Sequence, residues 1–170
     1  MSNNKKQLDT KRLVTLSALI AVAMILSYIE SMIPAFVAVP GVKVGLSNIA
    51  TVFALYALGW PYAIIVSVIR VLLSALLFGN AVSLIYSLSG AALALLSMIL
   101  LKKLDKLSSV GISVVGGVCH NIGQVIAACL VMETAAISFY IIPLTISGTI
   151  AGIVIGLVAG NIVERVKKYI

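Results

Sequence analysis

Six runs of nearly unbroken apolar residues divide this chain, at 13–33, 46–58, 62–78, 83–101, 112–132 and 137–163. Their length constrains the fold more than any other feature. A helix needs about 20 apolar residues to cross the hydrocarbon of a bilayer, with a working range of about 17–25. Five of the runs reach that range, and the second, at 13 residues, is short for a full span. Composition points the same way. Of 170 residues, 62% are hydrophobic and 10% charged, against roughly 45–50% and about 25% in a soluble domain. There is too little polar side chain to cover a water-facing surface. A soluble enzyme, a disordered tail and a nucleic-acid module are excluded, and the solvent to expect is lipid.

The breaks between runs are chemically sensible. Pro34, Pro40 and Gly41 end the first, Gly59-Trp60-Pro61 the second, and Gly79-Asn80 the third. Lys102–Ser109 (KKLDKLSS) ends the fourth, and Glu133-Thr134 the fifth. Glycine and proline punctuate helices, and basic residues collect on the cytoplasmic side. With the N-terminus inside and six crossings, that side holds Lys5, Lys6, Lys11, Arg12, Lys102, Lys103, Lys106, Arg165, Lys167 and Lys168. The outer side holds only Lys43, and Arg70 stays within the membrane. If 46–58 did not cross, six of those cations would move outside, so it is expected to be a short, tilted or sunken span. The expected fold is an all-α integral membrane protein, a six-helix bundle over 13–163. A cytoplasmic segment precedes it (1–12) and a cytoplasmic tail follows it (164–170).

The first apolar stretch runs about 20 residues, longer than the 7–15 of a signal-peptide core, and reads as a retained first helix. Cys119 and Cys129 lie in one run, about 15 Å apart along a helix axis, beyond disulfide reach. The connection 34–45 (PAFVAVPGVKVG) is too apolar for a simple solvated loop. It is either a lid over a cavity or a packed connector.

Several chemistries lack their parts. Prenyl and phosphoryl transfer need Mg²⁺ held by clustered carboxylates. The five acids, Asp9, Glu30, Asp105, Glu133 and Glu164, are each more than twenty residues from the next. There is no G-x-x-x-x-G-K-[ST] loop and no Cys/His cluster with metal spacing. His120 has no adjacent nucleophile. Autonomous catalysis, a resident metal and a cofactor are not expected.

Ionisable groups deep in a membrane are costly, and each is a functional candidate. Arg70 falls mid-helix, about 12 Å from either end of its run, with no carboxylate expected at its level. It is an internal clamp, a ligand contact or a snorkelling side chain. In GGVCHNIGQ (Gly116–Gln124), His120 and Gln124 share a helix face four residues apart, with Asn121 beside them. Gly116 aligns with His120, so a partner helix could approach beneath the imidazole. Glu30, Lys43, Asn48, Asn80 and Gln124 could line the mouth of one cavity, or Glu30 and Lys43 could form an ion pair. Gly148, Gly152, Gly156 and Gly160 make a small-xxx-small ladder for tight packing, and Ser17 and Ala21 repeat that spacing on the first helix.

PGVKVGLSN (Pro40–Asn48), RVLLSALLFG (Arg70–Gly79), YSLSGA (Tyr86–Ala91) and GGVCHNIGQ occur in order along the chain. Together they resemble the bacterial membrane family called Gx transporters, often labelled heptaprenyl diphosphate synthase component I. That family is similar to the substrate-binding S-components of energy-coupling-factor (ECF) importers. The resemblance implies six helices in the bacterial cytoplasmic membrane, both termini inside and a pocket toward the outer side. It also implies a small-residue motif on the first helix that docks a transmembrane coupling protein driven by two ATPases. Here that motif would be Ser17-x-x-x-Ala21 rather than Ala-x-x-x-Ala.

The two labels imply different functions. A transport subunit would bind a small molecule, a vitamin or cofactor precursor. Lys43, Asn48, Arg70, His120, Asn121 and Gln124 would form the site, and the cations would favour an anion. An accessory membrane subunit of prenyl diphosphate or quinone-precursor synthesis would instead accompany a soluble, Asp-rich synthase. A third reading is a scaffold with a collapsed interior.

Overall fold

The computed structural model describes residues 2–32 and 45–166, with the side chains of the first helix described from Thr10 onward. Lys43 lies outside the described residues. Those residues form six α-helices and no β-strand: α1 (Ser2–Met32), α2 (Asn48–Ala57), α3 (Trp60–Phe78), α4 (Ala81–Leu104), α5 (Ser109–Val131) and α6 (Ile141–Val166). Five apolar stretches are long enough to cross a membrane, at Thr10–Met32, Trp60–Phe78, Ala81–Leu104, Ser109–Val131 and Ala135–Val166. The short α2 is apolar but only 10 residues long.

Helix ends follow local chemistry more than the apolar runs do. With no glycine or proline before Pro34, α1 starts at Ser2 and carries helix through the polar, basic N-terminal segment. Gly59, at φ 104°, turns the chain between α2 and α3, and Pro61 sits in the first turn of α3, where its missing N–H is harmless. Asn80 caps α4 reciprocally. Its Oδ1 accepts from the Ser83 amide at 2.8 Å, and Ser83 Oγ accepts from the Asn80 amide at 2.9 Å. Asn80 is exposed, with its Oδ1 engaged in this cap. The last apolar run is not one helix. A 3₁₀ turn, Ala135–Tyr140, precedes α6, because Pro143 can neither donate to nor fit against residue 139 and so belongs in a first turn.

Large apolar side chains point outward over much of the surface, with Leu76 and Phe139 both 80% exposed. Water would not tolerate this pattern over so many helices, whereas lipid would. Inside are two apolar clusters. One gathers Ala23, Leu55, Val66, Met98, Ile112 and Ile155 with their neighbours. The other gathers Tyr86, Val125, Ala128, Ile137 and Leu144. Along α4, α5 and α6 these clusters occupy opposite ends, and the residues between them are Gly90, His120, Asn121, Gln124 and Gly148.

α5 and α6 meet backbone to backbone. A Cβ on Gly152 would lie 2.5 Å from Val114 Cα, and one on Gly156 would lie 2.6 Å from Val110 Cα. The glycine ladder of α6 therefore serves packing against α5. At its last turn α4 reaches back to α2. Lys102 Nζ donates to the Leu55 carbonyl and sits 4.8 Å from the Tyr56 ring. Cys119 and Cys129 are both free thiols.

Candidate functional site

Buried polar side chains fall into two groups on different parts of the bundle. The first lies among α1, α2 and α3. Arg70 is 4% exposed and points inward. Its Nη1 donates to Ser47 Oγ at 2.7 Å, and its Nη2 reaches Asn48 Oδ1 at 3.4 Å. Glu30 is also buried, and its Oε1 accepts from the Gly45 amide. The carboxylate lies within electrostatic reach of the guanidinium, which corrects the expectation that no carboxylate shares Arg70's level. The far end of α1 packs on α3, with the Tyr28 ring 5.2 Å from that of Phe78, and counting residues along one helix could not give which side chains of α3 it meets. One turn away, Ser27 and Thr51 are both 1% exposed, and their hydroxyls have no hydrogen-bond partner among the described residues. Arg70 ties the start of α2 to α3 while Glu30 ties it to α1, and Arg70 Nε and Glu30 Oε2 are left without a hydrogen-bond partner among the described residues.

The second group lies among α4, α5 and α6. His120 is 3% exposed, Asn121 1% and Gln124 0%. Asn121 Nδ2 donates to the Leu144 carbonyl at 2.6 Å, whose second lone pair stays open inside a helix, and Gly148 lets the amide approach. A Cβ on Gly148 would lie 2.7 Å from that nitrogen. His120 and Gln124 face the other way, toward Gly90 of α4. A Cβ there would lie 2.8 Å from the His120 carbonyl oxygen and 2.9 Å from Gln124 Cγ. The close helix approach expected near the imidazole is real, and α4 makes it. Gly116 itself faces Met98.

Both ends of the Gln124 amide, Asn121 Oδ1 and the Tyr86 hydroxyl are buried with no hydrogen-bond partner among the described residues. Such a group costs about 1–3 kcal/mol, and more where water is excluded. Four open polar atoms between two apolar clusters are therefore the conspicuous chemical feature of this half.

Of the residues singled out in sequence, Asn48 and Arg70 meet, and His120, Asn121 and Gln124 share α5. The two sets sit on different groups of helices. Ser17 and Ala21 are exposed on α1, with Ser17 Oγ bonded to the Leu13 carbonyl at 3.0 Å. Sequence reasoning missed Ser47, Ser27, Thr51 and Tyr86 as parts of these groups. Tyr86 stands four residues before Gly90 in YSLSGA, so its position on the α5-facing side was legible. The pairing of Ser47 with Arg70 was not. Among the described residues no three His, Cys, Asp or Glu side chains come together as metal ligands.

An apolar groove of about 330 Å³ runs along the seam of α3 and α4, with Ile64, Ser67, Val71, Ala92, Leu95 and Ile99 among its walls.

Outward-facing apolar helices of spanning length, closed over a few inward polar groups, define a multi-pass α-helical membrane protein. Within that class the chain belongs to the heptaprenyl diphosphate synthase component I family, whose pattern it matches over residues 19–162. No curated protein and no solved structure matches the chain.

Proposed function

We propose that this chain is a non-catalytic, substrate-binding subunit of a small-molecule uptake system in a bacterial cytoplasmic membrane. It would cross six times with both termini inside, α2 being the short crossing that keeps the basic clusters on one side. One observation carries the reading. Gln124 and Asn121 hold open hydrogen-bonding atoms in a layer between two apolar clusters, and Tyr86, at the edge of the second cluster, adds an open hydroxyl. A scaffold with a collapsed interior would gain by replacing them with apolar side chains, since an unsatisfied buried group only costs stability. His120 belongs to the same layer, whereas Asn48 and Arg70 act from the neighbouring clamp. The exposed Ser17 and Ala21 offer a flat face for a membrane partner that would couple uptake to ATP hydrolysis.

Native mass spectrometry of gently extracted protein tests this reading. A small polar molecule retained by the wild type and lost from a His120→Ala/Asn121→Ala variant is the expected result. Retention of lipid alone in both would refute it.

A second reading has its own support. The family description names a prenyl diphosphate synthase component, and the α3–α4 groove is apolar enough to hold a hydrocarbon chain. As an accessory membrane subunit, the chain would co-purify with a soluble, acid-rich synthase and not with ATPases. Affinity purification from native membranes separates the two readings.

A further inference from the structure

We infer that the molecule recognised at the α4–α5–α6 layer is uncharged and presents a donor and an acceptor side by side, as a primary amide, lactam or ureide does. This deepens the solute-binding reading and rests on it. The cations Arg70 and Lys43 suit an anion, but Arg70 lies among α1, α2 and α3 and not in this layer. Its Nη atoms are engaged by Ser47 and Asn48, at the start of α2.

Apart from His120, the layer contains no ionisable side chain of the Asp, Glu, Lys or Arg type. Between residues 81 and 101 of α4, throughout α5 (Ser109–Val131), and from residue 141 to 163 of α6, there is no Asp, Glu, Lys or Arg. A cation placed there would lose its hydration with no counter-ion, and an anion would have only a protonated His120 to face, which a low-dielectric interior penalises heavily.

What the layer does offer is amide chemistry. Gln124 is fully buried, with Oε1 free to accept and Nε2 free to donate. That pair is the complement of a second amide edge, which would donate its N–H to Oε1 and accept from Nε2. Asn121 has its nitrogen committed to Leu144, so its open Oδ1 can only accept. Tyr86 adds a hydroxyl at the adjoining turn of α4. The apolar clusters on both sides would take an apolar body attached to the amide.

Gln124 can be observed directly, because Gln7 is the only other glutamine in the chain. Protein labelled with ¹⁵N-glutamine in detergent micelles should show two side-chain amide pairs. The probes are benzamide and benzoate, nearly the same shape, one neutral with a donor–acceptor edge and the other an anion with acceptors only.

The expected result is saturable movement of the Gln124 pair by benzamide, at least tenfold weaker movement by benzoate, and no movement of Gln7. Gln124→Met, which keeps the side-chain volume, should abolish benzamide binding without lowering the melting temperature. Equal or stronger response to benzoate would overturn the charge assignment while leaving solute binding intact. No response to either probe would overturn the amide-edge assignment. A melting temperature lowered by Gln124→Met would overturn it too, because the amide would then be a structural bond. The native mass spectrum decides the underlying reading separately.

Discussion

The two halves of the bundle hold together by different means. α4, α5 and α6 approach until backbone meets backbone, with glycines at 90, 117, 148, 152 and 156 removing the side chains that would keep them apart. α1, α2 and α3 have no such seam. Their middle is bridged by side chains, with Glu30 on the Gly45 amide and Arg70 on Ser47 and Asn48. In lipid, apolar side chains gain little from leaving one hydrocarbon environment for another, so helices must be joined by close van der Waals contact or by polar groups. This chain uses one solution in each half. It is in the glycine-seamed half that the open amides sit. A binding layer needs its donors and acceptors held in place before the ligand arrives.

Breaking the polar bridge should have the largest effect. Arg70→Met leaves the Glu30 carboxylate buried beside apolar side chains, and a broken buried pair costs about 3–5 kcal/mol. The double variant Glu30→Gln/Arg70→Met should recover much of that loss. Unfolding of purified protein by a denaturing detergent, followed by circular dichroism, would show it. Failure of the double variant to recover would mean that Glu30 and Arg70 are not compensating one another.

Breaking the glycine seam comes next. Gly152→Leu forces a branched side chain against the Val114 backbone, an overpacking that costs roughly 1–3 kcal/mol or more. It should also weaken solute retention in native mass spectrometry, because α5 carries the amide layer. Retention at wild-type level in a destabilised Gly152→Leu protein would detach the site from the seam.

The turn that joins the halves should matter less. Asn80→Ala removes the reciprocal cap with Ser83, at a cost of about 1 kcal/mol and with no effect on retained solute. Smallest of all is Leu76→Ala on the lipid-facing side of α3, expected within about 0.5 kcal/mol of wild type. A large loss there would show that this face is covered by protein.

Much of the fold was legible from local chemistry. Proline and glycine at 59, 61 and 79 marked helix boundaries, and the four-residue spacing on α6 announced a close packing partner. Other features were not local. The 3₁₀ turn before α6 hid inside a continuous apolar run, since hydropathy does not register where Pro143 permits a helix to start. Ser47 looked like a neighbour of Asn48, and only the fold brings it under the guanidinium. Position along the chain sets Glu30 near Lys43, toward the outer surface, as a cavity-mouth residue or an ion-pair partner. Its distance along α1 said nothing about how α1 leans on α3.

What the residues alone determined is the solvent: with so few polar side chains, long apolar helices have no stable place but lipid, and their stiff 3.6-residue period fixes which side chains share a face. What tertiary structure decided is which faces meet. A guanidinium becomes a clamp or an anion site according to the helix opposite, and an amide becomes a structural bond or an open recognition edge in the same way. Those choices depend on the rotation and tilt of rigid helices against one another, to which every helix contributes and which no single segment encodes.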